Sequence, residues 1–183
     1  ESDLTVEVDL EETPAQSCMA RLVEARELTY DIRQVTWECD APVAYKAGQY
    51  MAVSWPGGPG SRSYSFAAAP AEGGTTRLTT FIRKVPGGAF TERLFGEDLS
   101  ALEFTIEAPH GSFWLREGTG PILLVGGGSG LAPLLSLLED AANRGVQRDA
   151  ILLFGGRGSR DLYCQDEIAA IAARGQGRLE YWP

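Results

Sequence analysis

Hydrophobic and polar positions follow two different patterns along this chain. Between Cys18 and Pro109, short runs of β-branched and aromatic residues alternate with turn residues, which is typical of strands. Six strands are predicted in SCMARLVEARELT, IRQVTWECD, GQYMAVSWP, SRSYSFA, TTRLTTFIRKV and LEFTIEAP. In GGAFTERLFGEDL, Phe90, Leu94 and Phe95 recur at helical spacing and predict one short helix before the last strand. Strands of this length favour an antiparallel barrel or sandwich.

The pattern changes after REGTG, residues 116–120. PILLV is an apolar strand, and a glycine turn follows it and leads into a helix that ends at Gly145. DAILLFGG predicts a second apolar strand, SRDLYCQDEIAAIAARG a second helix and GRLEYW a third strand. Apolar strands that alternate with helices are expected to form a parallel sheet buried on both faces. The fold class is therefore β + α/β: a six-stranded antiparallel barrel with one short helix, followed by a partial parallel α/β domain.

We expect a domain boundary near residues 116–120. Residues 1–17 form an acidic linker, 18–117 the strand-rich unit and 118–183 the α/β unit. The second unit contains a βαβαβ half of about 65 residues, which is short for a complete nucleotide-binding domain. We therefore expect it to be the N-terminal half of such a domain, truncated at its C-terminus.

Charge and cysteine content exclude several classes of protein. The chain has 183 residues and a net charge of −9, with six carboxylates in residues 1–12. Such a chain repels phosphate backbones and anionic lipids, so nucleic acid and membranes are not expected partners. Cys18, Cys39 and Cys164 are widely separated and fit neither a disulfide framework nor a metal cluster, and the N-terminus lacks a signal-peptide pattern. A cytoplasmic protein with reduced thiols and no metal site of its own is expected.

The glycine turn GGGSGLAP is the first candidate site. A turn that joins a strand to a helix directs backbone N–H groups and the positive helix end at one point, which suits a phosphate. Counted from Gly126, Leu131 stands where the dinucleotide fingerprint needs a third glycine, so the pattern is G-x-G-x-x-P from Gly128. A turn kept glycine-rich only for tight packing is the alternative. A serine-hydrolase elbow is disfavoured, because Leu131 replaces its last glycine and the lone His110 precedes Ser129.

The stretch SRSYSFAAAP is the second candidate. Arg62 can bind a phosphate, Tyr64 can lie against a flat heterocycle, and Ser65 can offer a hydroxyl to a ring nitrogen. Because side chains alternate along a strand, Arg62 and Ser65 would point to opposite faces of the sheet unless the strand ends near Ser65. The alanines before Pro70 favour such an end. An ordinary edge strand with an exposed arginine and tyrosine is the alternative.

Four motifs in order carry a resemblance to a known family. The R-x-Y-S stretch is followed by FIRKVPGGAFTERL, then by APHGSFWL, then by GGGSGLAP. In this order and at these intervals they resemble the ferredoxin-NADP reductase superfamily, over residues from about 18 to 183. The resemblance implies that the barrel binds FAD and that the α/β unit is part of an NAD(P)-binding domain.

The resemblance assigns the flavin site residue by residue. It implies that Arg62 holds the flavin phosphate, that Tyr64 stacks on the isoalloxazine, and that Ser65 bonds near N5; Ser63 belongs to the same stretch. Tyr64 and Ser65 are then the catalytic candidates. It implies that a second stretch meets the pyrimidine edge and the ribityl chain of the flavin through its backbone; this stretch is Ile82, Arg83, Lys84 and Val85. A third stretch would bind the pyrophosphate and consists of Gly88, Ala89, Phe90 and Thr91. Thr91 would also cap the helix that begins there. A pyrophosphate site implies FAD rather than FMN.

The resemblance also assigns a nicotinamide-nucleotide site. NADH is the implied donor, with NADPH left open. The residues are Gly127, Gly128, Ser129, Gly130 and Pro133 in the first turn, and Gly155, Gly156 and either Arg157 or Arg160 in the second. The family's Cys-Gly-Pro motif and its C-terminal aromatic are absent from this sequence. A flavin-binding relay or assembly module without its own nicotinamide activity is therefore an alternative.

The N-terminal segment SDLTVEVDLEE resembles the last strand and linker of a [2Fe–2S] ferredoxin domain, whose cysteines would lie upstream of Glu1. The order of a ferredoxin domain, an FAD-binding domain and an NAD-binding domain resembles that of the reductases of bacterial oxygenase systems. The resemblance is strongest to the soluble methane monooxygenase reductases. It implies a monomeric reductase that passes electrons from NADH through FAD to the ferredoxin domain and on to an oxygenase hydroxylase. A solvated acidic arm is the alternative for this segment. A phosphate-binding or sugar-nucleotide-binding protein that uses only GGGSGLAP is the alternative for the whole chain.

Overall fold

The computed structural model of the protein describes residues 14–58 and 60–183, and the predicted N-terminal strand in SDLTVEVDLEE lies outside them. The first part is a six-stranded antiparallel sheet in the order β4-β3-β6-β1-β2-β5, which confirms the predicted fold. One short helix, α1, precedes the last strand, as predicted. The elements are β1 Gln16–Glu27, β2 Ile32–Val43, β3 Tyr50–Ser54, β4 Arg62–Ser65, β5 Thr75–Arg83, α1 Ala89–Gly96 and β6 Glu103–His110.

The sheet curls until its two outer strands approach each other. Just beyond β4, Phe66 forms an antiparallel bridge with Thr80 of β5, and the Ala67 N–H donates to the Thr79 carbonyl at 2.8 Å. Inside the curl, Trp37 meets Phe104 edge to face with ring centroids 5.1 Å apart. These contacts place β4 and β5 side by side around one aromatic core.

The second part is a parallel sheet in the order β7-β8-β9 with two helices. Its elements are β7 Ile122–Gly127, α2 Leu131–Asn143, β8 Ala150–Gly155, α3 Gln165–Arg174 and β9 Leu179–Trp182. All three predicted strands and both predicted helices are present. No helix of residues 14–58 and 60–183 is long and apolar enough to cross a membrane.

Within residues 14–58 and 60–183, β7 is covered on one face only. Leu124 is buried with the residues of α2 and α3, whereas its neighbours Leu123 and Val125 are 63% and 66% exposed. The two helices pack on the same face of the sheet. Within the described residues, nothing covers Leu123 and Val125 on the opposite face.

The second helix begins later than the sequence pattern predicts. Residues Ser159–Asp161 form a 3-10 turn, in which the Asp161 carboxylate accepts hydrogen bonds from the Arg157 and Gly158 N–H groups at 2.8 and 3.1 Å. Cys164 has φ 57°, a left-handed backbone that interrupts a right-handed helix. The helix therefore starts at Gln165, although the residues before it are compatible with helix.

The two parts share a packed seam. Phe81 of β5 belongs to the same buried cluster as Leu131 and Leu135 of α2. The segment that follows β4 lies against α2, where the Ala69 N–H donates to the Glu139 carboxylate at 2.8 Å. The strand that carries R-x-Y-S is therefore held directly against the helix that follows GGGSGLAP.

Candidate functional site

The R-x-Y-S residues lie on the outermost strand of the barrel sheet. Arg62 pairs with Val53 and Ser65 with Tyr50 of β3, and β4 ends at Ser65, as the alanine run after it predicts. Arg62 and Ser63 are exposed, while Tyr64 and Ser65 are half-buried. The first half of β4 is therefore open to solvent, and its second half is partly covered.

Tyr64 connects this strand to α1. Its ring lies 5.9 Å from that of Phe90, tilted by 42°, and packs on the barrel core. Burial raises the pKa of the Tyr64 phenol, with a smaller opposing effect from the Arg62 charge, so the hydroxyl stays protonated at neutral pH. Tyr64 thus brings R-x-Y-S and the beginning of α1 into one region.

The beginning of α1 is free of a side-chain cap. Gly88 is the capping residue and no side chain bonds to the first turn, which leaves the helical N–H groups open to an anion. The prediction that Thr91 caps α1 is wrong. Its hydroxyl instead accepts from the Val85 N–H at 3.0 Å and donates to the Val85 carbonyl at 3.1 Å. Thr91 is the third residue of the helix, so its hydroxyl reaches back to the loop and ties that loop to the helix.

Two of the predicted flavin residues present only their backbone. The side chains of Ile82 and Phe90 are 0% and 2% exposed and belong to the core. Two further N–H groups are used within the protein: Lys84 donates to the Asp31 carbonyl at 2.7 Å, and Val85 donates to Thr91. Ala89 supplies the first residue of α1. From this stretch, the N–H groups of the first turn of α1 are the donors that remain for a pyrophosphate.

The acidic side chain of Glu92 lies beside the start of α1. The Glu92 carboxylate accepts from the Gly87 N–H and lies 3.2 Å from the Lys84 ammonium. The Gly87 N–H, followed by Lys84, lowers the pKa of Glu92. The positive charge of Lys84 is therefore balanced by the Glu92 carboxylate.

The first glycine turn leads into an uncapped helix. Gly127 ends β7, and residues 128–130, which include Ser129, form a 3-10 turn. The capping residue of α2 is Gly130, which has no side chain to bond to the first turn of the helix. Pro133 occupies the first turn of α2, where its missing N–H costs nothing. Gly128 has φ +56°, and a Cβ there would lie 3.2 Å from Nη1 of Arg83. The barrel arginine therefore lies directly over the turn.

The second glycine turn lies next to the first. Gly127 and Gly155 are partners in the parallel register of β7 and β8, and a Cβ on Gly127 would approach the Gly155 carbonyl to 3.1 Å. Gly156 is similarly close to the side chain of Asp161. The two turns thus form one glycine-lined edge at the carboxyl ends of parallel strands, the usual place for ligands in open α/β sheets.

Tyr30 and Asp31, in the connection between β1 and β2, were missed by sequence reasoning. The Asp31 carboxylate pairs with Arg83 at 2.8 Å and lies 3.7 Å from Arg157. Arg157 also donates to the Tyr30 hydroxyl, and Arg160 lies 4.5 Å from the centre of the Tyr30 ring. No motif in LTYDI signals this role, because the role depends on how three separate connections fold together.

These residues fit a dinucleotide and a second nucleotide at adjoining places. Arg62, Tyr64 and the open start of α1 lie together on the barrel, and the glycine-lined edge lies on the α/β unit. Arg83 and the Asp31 group of charges lie between the two.

Comparison with known proteins agrees with this division. The family model described as oxidoreductase FAD-binding domain matches residues 19–114. The model described as oxidoreductase NAD-binding domain matches residues 124–183. The two matches correspond to the barrel and to the α/β unit.

Curated relatives include reductase components of oxygenase systems. The xylene/toluene monooxygenase electron transfer component of Pseudomonas putida is 38% identical over 90% of this chain and 46% of its own length. The propane 2-monooxygenase reductase component of Gordonia sp. is 35% identical over 88% of this chain and 47% of its own length. The chain therefore spans about half the length of the curated relatives it matches.

Solved structures show the same fold. An Amycolatopsis cytochrome P450 reductase superimposes with a TM-score of 0.81 at 32% identity, covering 92% of this chain and 51% of that one. The ferredoxin reductase in carbazole 1,9a-dioxygenase gives a TM-score of 0.78 at 26% identity, covering 92% of this chain and 50% of that one. From its fold, its site and these matches, the chain belongs to the ferredoxin-NADP reductase superfamily and comprises FAD-binding and NAD-binding oxidoreductase domains.

Proposed function

We propose that this chain is the flavin-binding and nicotinamide-binding part of a reductase component that carries electrons from NADH through FAD to an oxygenase. The observation that supports this most is the position of Arg83, at the end of a flavin-domain strand, over Gly128 of the nucleotide turn. That contact brings the end of β5 beside the first glycine turn. The relatives named as electron transfer and reductase components support the same role.

On this proposal each part of the barrel site binds one part of the flavin. FAD supplies the redox chemistry, accepting an electron pair and releasing electrons singly. Arg62 binds phosphate, Tyr64 packs its ring against the isoalloxazine, and the N–H groups at the start of α1 bind the pyrophosphate. Ser65 donates a hydrogen bond towards N5.

The proposal extends to partners outside this chain. Electrons leave for a [2Fe–2S] ferredoxin domain of the same full-length protein and then for a hydroxylase that acts on aromatic or alkane substrates, methane included. The names of the relatives, which include xylene/toluene and propane oxygenase components, support an aromatic or alkane system. We propose a cytoplasmic monomer for this part of the protein.

The direct experiment mixes the FAD-loaded chain with NADH in the absence of oxygen and follows flavin absorbance. The proposal predicts that the band near about 450 nm bleaches with saturable dependence on NADH. Bleaching by dithionite but not by NADH would contradict the nicotinamide half and favour the relay module. Failure to bind FAD at all would contradict the whole proposal.

A further inference from the structure

One carboxylate joins positive charges from both domains. Asp31 lies in the connection between β1 and β2. Its Oδ2 accepts from Nε of Arg83 at 2.8 Å, and the same oxygen lies 3.7 Å from Nη2 of Arg157. Arg83 ends a barrel strand, whereas Arg157 follows the glycines after β8. Asp31 is therefore shared by the two regions that we assign to FAD and to NADH.

Asp31 is the fixed member of this group. Thr29 donates its hydroxyl to Oδ1 of Asp31 at 3.0 Å, and the Asp31 carbonyl accepts from the Lys84 N–H at 2.7 Å. The Asp31 side chain is 17% exposed, compared with 43% for Arg83 and 68% for Arg157. The carboxylate is held by its own loop, and the two longer side chains are arranged around it.

Both arginines are thereby kept at the glycine-lined edge. Nη1 of Arg83 lies 3.2 Å from where a Cβ of Gly128 would stand, and Arg157 follows Gly156 in the adjoining turn. Two guanidinium groups this close repel each other unless an anion lies between them. A partly buried, charge-assisted hydrogen bond such as Asp31–Arg83 fixes geometry better than an exposed ion pair does.

We infer that Asp31 is a positioning residue for dinucleotide binding. It holds Arg83 and Arg157 beside the two glycine turns, where their positive charge faces the phosphates of the nicotinamide nucleotide. This inference rests on the proposed function, because it needs the glycine turns to bind that nucleotide. Asp31 acts through the two arginines and touches neither cofactor.

The test replaces Asp31 by asparagine, which keeps the shape of the side chain and removes its charge. In calorimetric titrations of the FAD-loaded chain with NAD+, we expect Asp31→Asn to raise the Kd about five- to tenfold. In steady-state reduction the KM for NADH rises while kcat is unchanged. FAD content is unchanged and Tm stays within about 2 °C, which a merely structural role would not give.

Two further variants sharpen the test. Asp31→Glu retains the charge and is expected to recover most of the lost affinity. Thr29→Val loosens the carboxylate without removing it and should give a smaller rise in Kd. If Asp31→Asn does not fold, the Kd values of the other two variants for NAD+ decide the inference. A higher Kd for Thr29→Val, with Asp31→Glu close to the wild type, supports it, and a wild-type Kd for Thr29→Val overturns it.

Glu167→Gln is the matched control. Glu167 of α3 pairs with Arg26 of β1 at 3.3 Å, so it is another ion pair between the barrel and the α/β unit, and neither residue belongs to the glycine turns. Its loss is expected to leave the Kd for NAD+ unchanged. An equal effect of Glu167→Gln would show that any seam charge matters and would overturn a specific role for Asp31.

The outcomes separate this inference from the proposed function. If the wild type does not bind NAD+, the nicotinamide half of the proposed function fails and the inference fails with it. If the wild type binds NAD+ and Asp31→Asn binds it equally well or more tightly, only the inference is overturned. Tighter binding would mean that Asp31 competes with the phosphates for the arginines.

Discussion

Ser136 of α2 donates a hydrogen bond of 2.6 Å to the carbonyl of Ala68, three residues beyond the end of β4. Ser136 is fully buried, and the Tyr45 hydroxyl donates to the same carbonyl at 3.1 Å. A hydroxyl of α2 therefore fixes the segment that follows β4. Relative orientation of the two sites depends on this seam.

Ser136→Ala is expected to weaken the seam. It leaves the half-buried Ala68 carbonyl with the Tyr45 hydroxyl as its remaining side-chain donor, which lowers the free energy of unfolding by about 1 kcal/mol. Chemical denaturation measures the loss. Ser112→Ala, at an exposed position, is the control and should be neutral within about 0.5 kcal/mol. Equal stability of Ser136→Ala and wild type would contradict this role.

Gly128→Ala is expected to disturb both stability and nucleotide binding. A non-glycine residue at φ +56° costs about 1 to 2 kcal/mol, and the new Cβ would press on Arg83. Thermal unfolding and NAD+ titration measure the two effects. Gly130→Ala controls for stability only, since Gly130 has φ −65° and no atom lies within 4 Å of a Cβ there. If both variants unfold at the same temperature as the wild type, the claim that position 128 requires a left-handed backbone conformation is contradicted.

Ser65→Ala tests the proposed contact with flavin N5. We expect the rate of flavin reduction by NADH in the full-length protein to fall by about tenfold or more, since a donor to the reacting atom is lost. FAD content should not change, because Arg62 and the start of α1 remain. Rapid-mixing absorbance measures the rate. An unaltered rate would remove Ser65 from the catalytic assignment.

Alkaline pH is expected to destabilise the fold through its buried thiols and phenols. Burial raises the pKa of Cys164 from 9.0 to about 12, so the folded thiol binds its proton more tightly than the unfolded one does. That stabilisation is complete below pH 9 and declines as the pH rises from 9 towards 12. Cys164→Ser removes this share, so its unfolding free energy should fall less steeply between pH 9 and 11 or so. Parallel pH curves for the two proteins would contradict the assignment.

Much of the fold follows from local patterns. The short strand runs, the single helix between the last two of them and the later strand–helix alternation predict the two sheets and their helices. The patterns do not reveal Asp31, because its role exists only where three connections meet. Nor do they show which face of β7 meets the helices, since an apolar strand such as ILLV has the same pattern whichever face is covered.

Local chemistry also misled the assignment of Thr91. A threonine near the start of a helix usually suggests a cap, yet the backbone already places Gly88 at the capping position. The hydroxyl then serves the Val85 loop instead. Only the register of the helix start, which sequence patterns fix to within a few residues, separates the two roles.

Electron transfer through this chain requires that the barrel bind FAD. The most direct measurement is the visible spectrum of the purified chain after incubation with FAD and gel filtration. We predict a flavin band that co-elutes with the protein at one FAD per chain and is lost in a variant with both Arg62→Ala and Tyr64→Ala. A colourless protein peak from the wild type, with all FAD eluting as free cofactor, would contradict the account.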